Sequence, residues 1–112
     1  MQVEVIHSAF SDAENPRTVA MVDASDFTDV NDALEYAYRW TNNVMGSWSI
    51  KEDILKTRNG GMIENGDYNP NVTRMVELVK GGMGLRSTSE GDHMIVDGKK
   101  YKVASFGFDL VE

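Results

Sequence analysis

From Met94 to Val103 the chain reads Met-Ile-Val-Asp-Gly-Lys-Lys-Tyr-Lys-Val, two short alternating runs separated by Asp97-Gly98. An Asp-Gly pair flanked by such runs is a strong short-range signal for a two-residue hairpin, whose type I′ turn needs positive φ at both central residues. Counting outward from the turn pairs Val96 with Lys99, Ile95 with Lys100, Met94 with Tyr101, His93 with Lys102 and Asp92 with Val103. Met94, Val96, Tyr101 and Val103 therefore share an inner face, and Lys100 and Lys102 point outward. Past Ala104 the apolar parity shifts to Phe106, Phe108 and Leu110. Such a shift requires a bulge near Ala104-Ser105, a bend at Gly107, or a strand buried on both sides.

At the other end, Val3 and Val5 alternate with Glu4 in a first strand, and Val19 to Val22 form a second apolar run after the turn signal Asn15-Pro16. Their proximity favours antiparallel pairing. From Val30 the period changes. Val30, Ala33, Leu34, Ala37, Thr41 and Val44 follow helical spacing, with Thr28 or Asp29 as cap and Gly46 as a stop. Ser49-Ile50-Lys51-Glu52 has capping-box spacing, which suggests a short second helix through Ile54 and Leu55. Residues 57–71 lack apolar periodicity and read as a long, variable loop. Residues 72–80 fit a helix or a strand equally well.

The expected fold is α+β: an antiparallel sheet, made of the N-terminal strand pair and the C-terminal hairpin, packed on one main helix. With 112 residues, a single domain over 1–112 is expected. Cysteine is absent, which removes disulfides and thiolate chemistry, and only His7 and His93 supply imidazoles. No apolar run approaches the roughly 20 residues that cross a bilayer, and no leader pattern is visible, so a cytoplasmic location is expected.

The net charge of −7 is concentrated before residue 50, where Arg17 and Arg39 face eight acids. A net acidic chain repels phosphate backbones, which disfavours general nucleic-acid binding. Asp23, Asp26, Asp29, Asp32 and Glu35 recur at intervals of three. A hard-cation site is one reading. The series lacks the calcium-loop arrangement, however, and helix capping accounts for at least two of its members, so no metal and no cofactor are assigned.

Three functional readings remain open. Arg86, Ser87, Thr88, Ser89 and Asp92 lie just before the hairpin, where a guanidinium fork and several hydroxyls suit an anion. The plainer alternative is a turn in which Ser89 and Asp92 hydrogen-bond the backbone. Lys99, Lys100 and Lys102 extend that loop into the one basic cluster, an alternative nucleic-acid surface, although Tyr101 faces away from Lys100 and Lys102. His7 or His93 is a conceivable general base, yet neither sits in a catalytic signature, and no catalytic residue is assigned. The leading expectation is a non-enzymatic accessory protein that binds another protein, either a host factor or a second copy of itself.

The segments Gly84-Leu85-Arg86-Ser87-Thr88-Ser89, Gly91-Asp92, Val96-Asp97-Gly98-Lys99, Tyr101 and Val103 to Phe108, with Ala33 to Asn42, resemble small uncharacterised proteins encoded by phages and other mobile elements. The resemblance covers about a third of the chain. It implies an origin and carries no activity, partner or catalytic residue.

Overall fold

A computed structural model describes residues 1–57, 59–78 and 84–111. Its main element is a six-stranded antiparallel sheet in the order β5-β2-β1-β6-β7-β8. The strands are β1 (Gln2–His7), β2 (Arg17–Asp23), β5 (Val72–Arg74), β6 (His93–Val96), β7 (Lys99–Val103) and β8 (Phe108–Leu110). One helix, α1 (Val30–Trp40), packs against the central strands β1 and β6. A separate two-stranded ribbon is formed by β3 (Ile54–Lys56) and β4 (Met62–Glu64). The fold is α+β.

The hairpin has the register counted from the sequence, from Val96 opposite Lys99 to His93 opposite Lys102. Asp97 and Gly98 take φ of 52° and 74°, as a type I′ turn demands. Met94, Val96 and Val103 are buried and Tyr101 is half-buried. The parity shift beyond Ala104 has a simple cause: the chain reverses again. Ala104 N–H donates to the Gly107 carbonyl at 3.1 Å, Gly107 takes φ of 74°, and β8 returns along β7 with Val103 opposite Phe108.

β1 and β2 pair antiparallel with a register shift at Val5/Ile6. The shift lets Val19 join Val3, Val5, Ala20 and Val22 in the core. Ala33, Leu34 and Ala37 close that core from the helix side. Asp29 caps α1, its carboxylate accepting from Asp32 N–H at 3.1 Å. Asp23 accepts from the Ser25 N–H at 3.0 Å. Two members of the acidic series are thus local backbone acceptors.

Two expectations need correction. The helix ends at Trp40, one turn before Gly46, because Thr41 Oγ1 and Asn42 Nδ2 donate back to the Ala37 and Tyr38 carbonyls and unwind the next turn. Val44 is consequently exposed, and Gly46 is needed for its close approach to the Asn65 side chain, where a Cβ would collide. Second, the capping-box segment builds no helix. Ile54 and Leu55 belong to β3, paired with β4 inside the stretch read as a loop. Of the segment open to either helix or strand, residues 72–74 are a strand; its end, residues 79 and 80, lies outside the described residues.

Candidate functional site

The loop from Gly84 to Asp92 crosses one end of the sheet, and its polar groups are directed at the protein. Arg86 Nη1 and Nη2 donate to the two Asp92 carboxylate oxygens at 2.7 and 2.9 Å. Nε and Nη2 also reach Asp12 Oδ2, at 3.3 and 3.0 Å. The guanidinium carbon lies 5.2 Å from the Phe10 ring centroid. Asp92 is fully buried and accepts further from the N–H groups of Ser8, Ala9 and Ser89 at 2.8, 2.9 and 2.8 Å. Burial alone would raise its pKa, but the Arg86 fork and these three N–H donors hold it down to about 2. The Asp92 pairing in turn raises the Arg86 pKa.

The hydroxyls are equally engaged. Thr88 is buried; its N–H donates to the Thr41 carbonyl at 2.9 Å and its Oγ1 donates to Thr41 Oγ1 at 2.8 Å. Thr41 Oγ1 donates onward to the Ala37 carbonyl at 2.7 Å. With both hydroxyl protons spent, the 3.0 Å contact of His7 Nε2 with Thr88 Oγ1 requires the imidazole to donate. A hydrogen-bond chain therefore runs from β1 through the loop to the end of α1. Ser87 Oγ accepts from Asn43 N–H at 2.8 Å, and Ser89 Oγ donates to the Ser87 carbonyl at 3.3 Å. The Trp48 indole N–H donates to the Arg86 carbonyl at 2.9 Å.

Lys100 and Lys102 are exposed on the sheet face opposite the helix, beside Glu4, Ile6, Met21, His93 and Ile95. Tyr101 and Phe108 pack against the core on the other face, while Phe106, in the turn between β7 and β8, is exposed. Arg86 is tied into the loop on its two carboxylates, so the four cations do not converge on one surface. His7 is buried, and burial pushes its pKa down to about 4. His93 is half-buried. Ser8 Oγ donates to the Gly91 carbonyl at 3.0 Å, so the 2.6 Å contact of Ser8 Oγ with His93 Nδ1 has the ring nitrogen as donor. Burial and then Lys100 and Lys102 lower its pKa. Among the described residues neither imidazole is hydrogen-bonded to a carboxylate, and no cluster of three metal-ligating side chains occurs.

Sequence reasoning missed a second buried polar group. Asn65 and Asp67 join the two long connections. Asn65 Nδ2 donates to the carbonyls of Ser47, Ile50 and Glu52 at 2.9, 3.0 and 2.9 Å. Asp67 accepts from Val44 N–H, Met45 N–H and Arg39 Nη1 at 2.7, 2.9 and 3.1 Å. The alternation Asn65, Asp67, Asn69 around Gly66 was the available signal, since short polar side chains bond nearby backbone in turns. Trp48, buried 6.2 Å from the His7 ring, was missed as well.

Among the described residues Ser47 Oγ is buried without a hydrogen-bond partner, and further unpaired groups lie at the sheet edge. In the ladder between β7 and β8, Val111 N–H donates to the Lys100 carbonyl and Ala104 N–H to the Gly107 carbonyl. By antiparallel alternation the N–H and C=O groups of Phe108 and Leu110 then point away from the sheet. Phe106 is 95% exposed, Leu110 51% and Val111 39%. A groove of about 240 Å³ lined by Glu35, Tyr38 and residues 103–108 adjoins them. At β5, the opposite edge, the outward Val72 N–H donates to the Asn69 carbonyl, and the Arg74 side chain donates to the Val76 and Ser49 carbonyls.

No family model, curated protein or solved structure matches the chain. Among the described residues no helix is long and apolar enough to cross a membrane.

Proposed function

We propose that this chain is a non-enzymatic accessory protein that binds another protein by strand addition at β8. The observation that carries the reading is the open β8 edge, where outward backbone groups of Phe108 and Leu110 lie beside the exposed side chains of Phe106, Leu110 and Val111. An unpaired strand edge is a template for another chain, and natural proteins usually blunt such edges with lysine, proline or a bulge. β8 contains no lysine, proline or bulge; its short length and the exposed Asp109 are the protections it has.

The alternative readings have less support. An anion at the 86–92 loop must displace both Asp92 and Asp12 from Arg86, at the cost of baring a buried carboxylate. Nucleic-acid binding at Lys100 and Lys102 lacks stacking by Tyr101 and Phe108, whose rings pack against the core. Capture from a lysate by immobilised wild type and by Leu110→Lys, each after crosslinking, tests the proposal. The expected result is a discrete protein partner retained by the wild type and lost by Leu110→Lys. Equal capture by both, or short single-stranded oligonucleotide binding at low salt that Lys100→Ala and Lys102→Ala abolish, contradicts it.

A further inference from the structure

The groove between α1 and the β7–β8 turn is acidic as well as apolar. Among the described residues that line it, Glu35 alone carries a charge. Glu35 is exposed and joins none of the ion pairs among the described residues; Arg39, one turn further along α1, is committed to Asp67. A second carboxylate adjoins the groove, because Ser105 in its wall donates through Oγ to Glu90 at 2.7 Å. The lysines of the hairpin do not offset these acids. Lys100 and Lys102 point to the opposite sheet face, and Lys99 sits at the far end of β7 beside the Asp97-Gly98 turn. Tyr38 and Phe108 meet edge to face at 6.2 Å, and the exposed Phe106 completes an aromatic wall. Carboxylate and rings together suit a cation with an apolar stem.

We infer that the strand added at β8 carries an arginine whose guanidinium enters this groove and pairs with Glu35. This rests on the reading of β8 as a binding edge. Phe108 lies opposite buried Val103, so its side chain is on the helix side while its backbone groups face outward. A partner residue paired with Phe108 directs its own side chain to that same side. Because α1 packs over β1 and β6, this residue is one interstrand spacing, about 4.8 Å, farther from α1 than Phe108. A short side chain there stops at the Phe108 ring. A long one passes over it, laying its stem on Phe108 and Tyr38 and setting its charged head at Glu35. Lysine has the reach, but a planar guanidinium also stacks on the rings and meets a carboxylate with two hydrogen bonds, which selects arginine. The net charge of −7 favours the approach of a basic segment as well.

Short random peptides, displayed and selected on the folded wild type, supply the probe. Enriched peptides should carry an arginine two positions from an apolar residue, since alternate residues of a strand share the side that faces Phe108 and Leu110. One selected peptide and its arginine-to-alanine version are then titrated against wild type, Glu35→Gln and Leu110→Pro, with circular dichroism confirming that each protein is folded. Leu110→Lys replaces Leu110→Pro if the proline variant does not fold. On wild type the alanine peptide should bind at least about fivefold more weakly at low salt, and the factor should shrink as salt rises. Glu35→Gln should weaken the arginine peptide by a similar factor and leave the alanine peptide unchanged, the non-additivity of two groups in contact. Leu110→Pro, which deletes an outward N–H and no bond to β7, should abolish binding of both peptides. Peptides that need Leu110 yet lack arginine, or that bind Glu35→Gln as well as wild type, overturn the inference and leave the β8 reading standing. Peptides that bind wild type and the Leu110 variant equally, or a selection that enriches none, overturn both.

Discussion

Arg86 shows how one side chain decides between a turn and a ligand site. Its fork is filled by Asp92 and Asp12, and Asp92 is fully buried, so removing the guanidinium leaves an internal carboxylate with backbone N–H donors alone. Breaking a buried pair from one side costs about 3 kcal/mol or more, so Arg86→Ala should lower the urea midpoint sharply, whereas Ser87→Ala should cost only about 1 kcal/mol. His7 gives a pH signature with a definite sign. Its folded pKa of about 4 lies below the ordinary 6.5, so the unfolded chain binds the extra proton. The stability from this group is fully present above pH 6.5 and falls as pH drops toward 4. Asp92 adds a further loss below its ordinary 3.8, toward 2. Urea unfolding at a series of pH values should show the first slope in the wild type and not in His7→Gln. The loop's residues were legible in the sequence as a cluster. Its meaning was not, because Asp12 lies 74 residues from Arg86 and nothing local announces that pairing.

At the scale of elements, legibility followed the strength of local rules. Asp97-Gly98 demands one backbone geometry, and alternation on either side sets the register, so the hairpin could be counted out pair by pair. Gly98→Val should destabilise the protein by about 1–2 kcal/mol through its positive φ, while Asp97→Asn should be close to neutral. The start of α1 was equally readable. Asp29→Ala should cost about 1 kcal/mol in thermal or urea unfolding, through the lost bond to Asp32 N–H. The end of α1 was not, because Thr41 and Asn42 stop the helix by back-bonding and their periodicity matches its continuation. β3 and β4 escaped for a related reason. Three residues are too few to display alternation, and the bonds of Asn65 to the Glu52 and Asp53 carbonyls at the base of the ribbon are not visible locally.

For the molecule as a whole, the contrast between the bonded interior around the 84–92 loop and the bare β8 edge is the fact that bears on function. The buried polar side chains near the hairpin form closed networks, and the apolar core lies between α1 and one sheet face. β8 instead directs the backbone groups of Phe108 and Leu110 away from the sheet, beside exposed Phe106 and Leu110. Amide hydrogen exchange measured residue by residue, on the free protein and on its complex with the captured partner, tests that claim most directly. The N–H groups of Phe108 and Leu110 should exchange quickly in the free protein and become protected in the complex, while those within the β1–β2 and β6–β7 ladders stay protected throughout. Fast exchange of both in the complex would contradict the account.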